Sequence, residues 1–177
     1  MASVAELLRV ELLAQKLDPH QDMAALMLGQ IAWETDHGRK CDNHNVGNVS
    51  ANELAAVDYF RPLWFAEGQT DPRLAALHAA MLSHQAPRAF RAYPGFVEGV
   101  AGYVRAAKQL GVIAAARTGD AETLANVIRL QGYTPGAPAS LGRTLEQLRN
   151  DYLGREYFAS LPKDHGGAPP NPGQVYY

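Results

Sequence analysis

The sequence predicts one mainly α-helical domain with at most a small β hairpin. Three observations lead to this prediction. Apolar residues recur at helical spacing over most of the chain, capping residues precede several of these segments, and short stretches rich in Gly, Pro and Asn separate them. With 177 residues, of which 47% are hydrophobic and 19% charged, the chain is long enough to bury a core of its own.

The first two helices are predicted from periodicity and from capping signals. Residues 3–17 form an amphipathic pattern. Asp18 precedes a proline, which suits a helix cap followed by a first turn, so we expect a second helix from Asp18 to about His37 that stops at Gly38. Its many Ala, Leu and Met residues predict deep burial. A polar loop over residues 38–52 follows.

The rest of the chain continues this alternation. The hairpin, if formed, is expected near residues 49–66, and residues 87–94 form a connector. Further helices are predicted over 71–84, 95–110, 121–130 behind an Asp120 cap, and 141–153. The domain is therefore expected to span residues 1–161, with a flexible Pro/Gly-rich tail at 162–177.

Charge and the distribution of apolar residues argue against several classes of protein. The net charge is -2 and the basic residues are scattered, which argues against a nucleic-acid-binding protein. No stretch approaches the roughly 20 apolar residues of a membrane span. The N-terminal segment carries charged residues inside its apolar pattern, so it does not resemble a secretory signal peptide.

Histidine and cysteine positions do not predict a metal site. His37 and His44 flank Cys41, but the group lacks a fourth ligand and the usual cysteine pairing. His78 and His84 are six residues apart, which does not place them on one helix face. We therefore expect neither a metal nor another cofactor.

Glu34 is the strongest candidate for a catalytic group. It follows Ile31 by three residues and Met27 by seven, so it shares the apolar face of the second helix near the C-terminal end of that helix. Burial and the negative end of the helix dipole would both raise its pKa, as a general acid requires. Gln30, one turn earlier, could orient the carboxyl group or bind substrate. The competing interpretation is a Glu that points to solvent at a helix end.

The segment around Glu34 resembles the core of lysozyme-like peptidoglycan hydrolases. Within residues 26–50, the pattern Gln30, Glu34, Thr35 and Gly38 is similar to the Gln-x-x-x-Glu-Ser/Thr-x-x-Gly helix of the β-N-acetylglucosaminidases of glycoside hydrolase family 73, the flagellar and autolysin type. The loop His-Asn-Val-Gly-Asn-Val that follows is similar to the family's Asn- and Gly-containing loop, and also to a loop of some phage lysozymes and transglycosylases.

Two later segments extend the resemblance in the same order. Residues 89–108 are similar to the family's Phe-Arg-x-Tyr-x-Ser segment and the helix behind it, and residues 130–136 to its Gly-Tyr-Ala-Thr-Asp segment. The resemblance implies a lysozyme-like fold and a role for Tyr133 in lining the cleft. In this chain Pro135 replaces the family's Asp, and the Phe of the polar loop is missing.

The family's second carboxylate has no clear counterpart. Asp58 and Glu67 are the two candidates for it, and Glu53 is a weaker third. Three reactions therefore remain open: a carboxylate that activates water, the substrate's own acetamido group as nucleophile, or attack by the 6-hydroxyl of a muramic residue, as in a lytic transglycosylase. Hydrolysis by an N-acetylglucosaminidase or muramidase is the preferred reading. A non-catalytic peptidoglycan-binding relative and a helical interaction protein are the alternatives.

Substrate-binding residues are predicted from chemistry that suits N-acetylated sugars. Asn45 and Asn48 could bond acetamido groups, and Tyr59, Tyr93 and Tyr133 could stack on sugar rings. For the aromatic residues, ordinary core packing is the competing interpretation.

The expected partner is therefore the glycan strand of peptidoglycan, cut by a monomer. We expect synthesis in the cytoplasm without a classical signal peptide and action at the cell wall or periplasm after non-classical delivery, as for a phage lysin or an injected antibacterial effector. In the second case, an immunity or inhibitor protein that plugs the cleft is expected.

Overall fold

A computed structural model describes residues 1–49, 58–66, 87–130 and 137–163. These residues form six α-helices, a short 3-10 turn and two β-strands, so the predicted mainly α-helical class is confirmed. The elements are α1 (Ala2–Ala14), α2 (Gln21–Glu34), the 3-10 turn (Asp42–His44), β1 (Asp58–Ala66), β2 (Pro87–Ala92), α3 (Phe96–Gln109), α4 (Val112–Arg117), α5 (Ala121–Leu130) and α6 (Leu141–Gly154). The helix predicted at 71–84 and the tail from residue 164 onward lie outside the described residues.

Helix α2 forms the centre of the core. Every residue from Met23 to Ala32 is buried, because α1, α4 and α6 all pack against this helix. A helix that is apolar on all sides requires such an enclosed position. The predicted deep burial is confirmed.

The start of α2 differs from the prediction. Asp18 adopts a left-handed conformation with φ of 47° and lies outside the helix. The cap is His20, whose Nδ1 accepts a hydrogen bond from the Met23 backbone N–H at 3.4 Å, and whose Nε2 is 3.0 Å from the carbonyl oxygen of Arg117. The prediction of Asp18 as the cap is therefore wrong, because a contact with a distant part of the chain positions His20 instead.

The end of α2 also comes earlier than predicted. The helix ends at Glu34 because Asp36 and His37 take left-handed conformations, with φ of 50° and 56°. The Thr35 hydroxyl accepts a hydrogen bond from the Gly38 N–H at 3.0 Å and closes the turn. Glu34 is consequently the last residue of the helix, three residues before the predicted end at about His37.

The two strands form a parallel pair and not a hairpin. Asp58 of β1 lies opposite Pro87 of β2, and Ala66 lies opposite Ala92, with an irregularity in register between them. Residues 87–92, which we expected to be a connector, supply the second strand. The predicted hairpin over residues 49–66 lies largely outside the described residues, since residues 50–57 are not among them. The structure shows that β1 pairs with a segment 20 residues away, a partner that local alternation does not reveal.

The C-terminal helices follow the predictions closely. Helices α3, α5 and α6 match the predicted ranges to within one residue, and the Asp120 side chain caps α5. The short α4 was not predicted; it follows a turn at Gly111, where φ is 74°. None of the helices in the described ranges is long and apolar enough to cross a membrane.

Candidate active site at the end of the buried helix

Glu34 and Asn48, both predicted as site residues, lie in contact. Asn48 Nδ2 is 2.8 Å from the backbone carbonyl oxygen of Glu34 and 3.3 Å from its Oε2. The first contact satisfies a carbonyl at the C-terminal end of α2 that has no partner within the helix. The loop after α2 is thus tied to the residue that carries the candidate acid, and Glu34 is only partly buried.

Gln30, one helical turn before Glu34, forms a buried hydrogen bond with Tyr103. The Tyr103 hydroxyl lies 2.8 Å from Gln30 Oε1 and 3.4 Å from the carbonyl oxygen of Met27. Both side chains are 0% exposed. Because Gln30 is fully enclosed, its position favours the predicted role of orienting the Glu34 carboxyl over the predicted role of binding substrate.

Tyr103 remains a hydrogen-bond donor over the physiological pH range. Burial raises the pKa of its hydroxyl far above the ordinary value, and the negative charge of Glu34 raises it further.

Asn45 has a structural role in the loop. Its Nδ2 donates to the carbonyl oxygens of Val49 and Arg91 at 3.0 and 2.9 Å, and its Oδ1 accepts from the Val49 N–H at 2.7 Å. Both amide hydrogens are therefore engaged within the protein, and the residue is 1% exposed. The predicted contact of Asn45 with an acetamido group would require these bonds to break.

Tyr93 packs into the protein. It is 5% exposed, and a Cβ atom added at Gly102 of α3 would lie 2.3 Å from its ring carbon Cζ. The ring thus occupies the space that Gly102 leaves open. This arrangement matches the core-packing interpretation and leaves little of the ring for the predicted stacking on sugar.

Gly99, one turn before Gly102, receives the loop in the same way. A Cβ atom at Gly99 would lie 1.9 Å from the carbonyl oxygen of His44. The His44 ring packs edge-on against Phe96, with ring centroids 4.9 Å apart, and its Nδ1 is 2.9 Å from the Tyr93 carbonyl oxygen. Helix α3 therefore meets the loop that carries Asn48 directly at Gly99. At Gly102 the same helix face receives Tyr93, whose backbone bonds to Asn43 and His44 of that loop.

The candidates for the second carboxylate are only partly located. Asp58 and Tyr59 begin β1, and their side chains lie outside the described part of the chain, as do Glu67 and Tyr133 entirely. The backbone register places Asp58 opposite Pro87, whereas the loop joins β2 at Arg91 through a bond to Val49. Pro87 and Arg91 are four residues apart on β2, which corresponds to about 13 Å along a strand. The backbone of Asp58 therefore lies at the end of the strand pair that is farther from the loop.

Cys41 is not a reactive thiolate. Desolvation raises the pKa of its thiol to about 11, and the neighbouring Asp42 carboxylate adds to this effect. The neutral thiol is a weak nucleophile and a weak metal ligand. Within the described ranges, no three His, Cys, Asp or Glu side chains lie together as a metal site.

Tyr103 is the residue that the sequence analysis did not assign. It lies within the segment 89–108 that resembles the family helix, and it shares an apolar face with Val100, Val104 and Ala107. The available signal was its hydroxyl, since a polar group on an apolar helix face needs a buried partner.

Comparisons with models of protein families, with curated proteins and with solved structures found no match to this chain.

Proposed function

We propose that this chain is a peptidoglycan hydrolase that cleaves the β-1,4 bond between N-acetylglucosamine and N-acetylmuramic acid, with Glu34 as the general acid. The observation that carries the proposal is the contact of the Asn48 amide with Glu34, at the end of a helix that is buried from Met23 to Ala32. The contact ties a polar loop to a carboxyl group that remains partly open to solvent. The resemblance of this same segment to glycoside hydrolase family 73 supports the proposed substrate.

The proposed chemistry needs a carboxyl group that is protonated before the reaction. Glu34 then gives its proton to the glycosidic oxygen as the bond between that oxygen and the anomeric carbon breaks. The negative end of the α2 dipole favours the neutral acid, whereas the Asn48 amide, 3.3 Å from Oε2, favours the carboxylate that follows. Both forms therefore have support in the same site.

The test is digestion of purified sacculi by the wild type and by Glu34→Gln, with the released fragments identified by mass. Gln has the size of Glu but cannot donate a proton as an acid, so we expect the rate to fall by about 100- to 10,000-fold. Glu146→Gln is the matched control, because Glu146 is an exposed residue of α6 and its replacement should leave the rate unchanged.

The products decide between the reactions that the sequence left open. A reducing-end sugar identifies hydrolysis and names the bond, whereas an anhydro sugar identifies a lytic transglycosylase. Binding of sacculi without release of fragments would indicate a non-catalytic peptidoglycan-binding protein instead of an enzyme. An active Glu34→Gln variant would remove Glu34 from the mechanism.

Action at the cell wall, and recognition by an immunity or inhibitor protein, are parts of the same proposal. A protein that blocks the site should contact the Asn48 loop and slow digestion by the wild type. Co-expression with neighbouring genes, scored as rescue from lysis, would test this expectation.

A further inference from the structure

Gln30 carries a hydrogen-bond donor that the described protein does not use. Its Oε1 accepts from Tyr103, but its Nε2 has no hydrogen-bond partner among the described residues, although the side chain is 0% exposed. Burying such a donor without a partner costs about 1–3 kcal/mol, so proteins rarely retain one without a use. A use in the working state of the site would account for it.

The unpaired donor lies one turn from the candidate acid. Gln30 and Glu34 are four residues apart on α2, a spacing that places two helical side chains on the same face in successive turns. Amide and carboxylate side chains at this spacing form hydrogen bonds in helices. The charge of Glu34 also acts on Tyr103, which itself contacts Gln30.

Tyr103 fixes the orientation of the amide. Its hydroxyl has a single proton, and the nearer acceptor is Gln30 Oε1 at 2.8 Å, whereas the Met27 carbonyl oxygen is 3.4 Å away. The Tyr103 hydroxyl therefore donates to Gln30. With Oε1 engaged in this way, Nε2 is the end of the amide that remains for another acceptor. The Tyr103 ring is fully buried, so this arrangement is held by packing as well.

We infer that Tyr103 and Gln30 act as a positioning pair for Glu34, in which the Gln30 N–H donates a hydrogen bond to the carboxylate that remains after proton transfer. In this step the Glu34 proton moves to the glycosidic oxygen, which keeps the electron pair of its breaking bond to the anomeric carbon. The anomeric carbon is then captured by water, by the substrate's own acetamido oxygen or by the 6-hydroxyl of a muramic residue. The carboxylate then gains an acceptor role toward Gln30 Nε2, which had no partner before. The inference rests on the proposed function, but it concerns the ionisation of Glu34, which can be measured without turnover.

The experiment follows the carboxyl carbon of Glu34 by NMR during a pH titration of the full chain. Gln30→Met removes the donor at similar volume, and Tyr103→Phe removes only the hydroxyl that orients it. Loss of the donor disfavours the carboxylate, so we expect Gln30→Met to raise the proton affinity of Glu34 by about three- to tenfold. Tyr103→Phe should act in the same direction with a smaller effect.

Tyr152→Phe is the matched control. Tyr152 is another buried tyrosine, on α6, and its hydroxyl lies 3.4 Å from His37 Nδ1 rather than next to Gln30. Its replacement should leave the titration of Glu34 unchanged. With active enzyme, Gln30→Met should lower kcat by about tenfold without changing KM, because the new bond forms only during the reaction.

An unchanged Glu34 titration in Tyr103→Phe and Gln30→Met would overturn the inference. If Gln30→Met does not fold, the result for Tyr103→Phe decides alone. A shifted titration in a protein that does not digest sacculi supports the positioning pair and refutes the proposed hydrolase. Digestion that depends on Glu34, together with an unshifted titration, supports the proposed hydrolase and refutes the positioning pair.

Discussion

The contact between Gly99 and the loop predicts that Gly99→Ala impairs the site more than the fold. The added Cβ would lie 1.9 Å from the His44 carbonyl oxygen and 3.1 Å from its carbon, whereas ordinary contacts begin at 3.4 Å. The loop or α3 must therefore move by about 1.5 Å at this point. The obstacle is backbone, which cannot swing aside as a flexible side chain can.

The cost follows from two opposing effects. Overpacking of this kind costs about 1–3 kcal/mol, and replacing Gly by Ala in a helix returns up to about 1 kcal/mol. With the full gain of about 1 kcal/mol returned, we expect the free energy of unfolding to fall by about 0–2 kcal/mol. The same movement displaces Asn48 from Glu34, and a misplacement of about 1 Å can reduce a catalysed rate by about 100-fold.

Urea unfolding and digestion of sacculi measure the two effects separately. Gly154→Ala is the control, because a Cβ atom there meets nothing within 4 Å, and both quantities should stay near those of the wild type. Full activity in a folded Gly99→Ala variant would refute the argument that this close approach positions the loop. Activity that falls only with the folded fraction would limit Gly99 to a role in stability.

Two further predictions concern hydrogen bonds of the described side chains. Asn45→Ala removes three buried bonds, so urea unfolding should show a loss of about 2 kcal/mol or more, whereas the exposed Asn150→Ala should change stability by less than about 0.5 kcal/mol; equal values would contradict the structural role of Asn45. The pKa of Asp120 is lowered, chiefly by the Thr123 hydroxyl and also by the N–H groups at the start of α5, so its carboxylate contributes stability above its ordinary pKa and loses it as pH falls through the lowered value. Asp120→Ala should therefore lower the free energy of unfolding by about 1 kcal/mol at pH 7, and this difference should shrink as the pH falls below about 4; a difference that persists at pH 2 would show that charge is not involved.

Local sequence patterns were sufficient for several helices whose determining contacts are local, although the local end of α2 and the short α4 were not predicted. Helical periodicity identified α3, α5 and α6, and the Asp120 cap needs only the residues two and three positions ahead. The apolar composition of α2 predicted its burial. The same pattern singled out Glu34, since position along a helix follows directly from sequence spacing.

Contacts between distant residues decided what local patterns could not. His20 rather than Asp18 caps α2 because a carbonyl group 97 residues away orients its ring. Asn45 and Asn48 are the same residue type in one loop, but the first bonds to the loop and β2 whereas the second reaches Glu34. Sequence spacing gave both the same role.

The sequence by itself determined a mainly α-helical chain with a carboxyl group at the end of its most apolar helix. Only the tertiary structure decided which groups surround that carboxyl: the pairing of Gln30 with Tyr103, 73 residues apart, and the approach of the loop to Gly99. The physical reason is the separation along the sequence between the residues that interact. Helix formation and capping depend on neighbours within about four residues, whereas the partner of a buried polar group is set by the packing of the whole core.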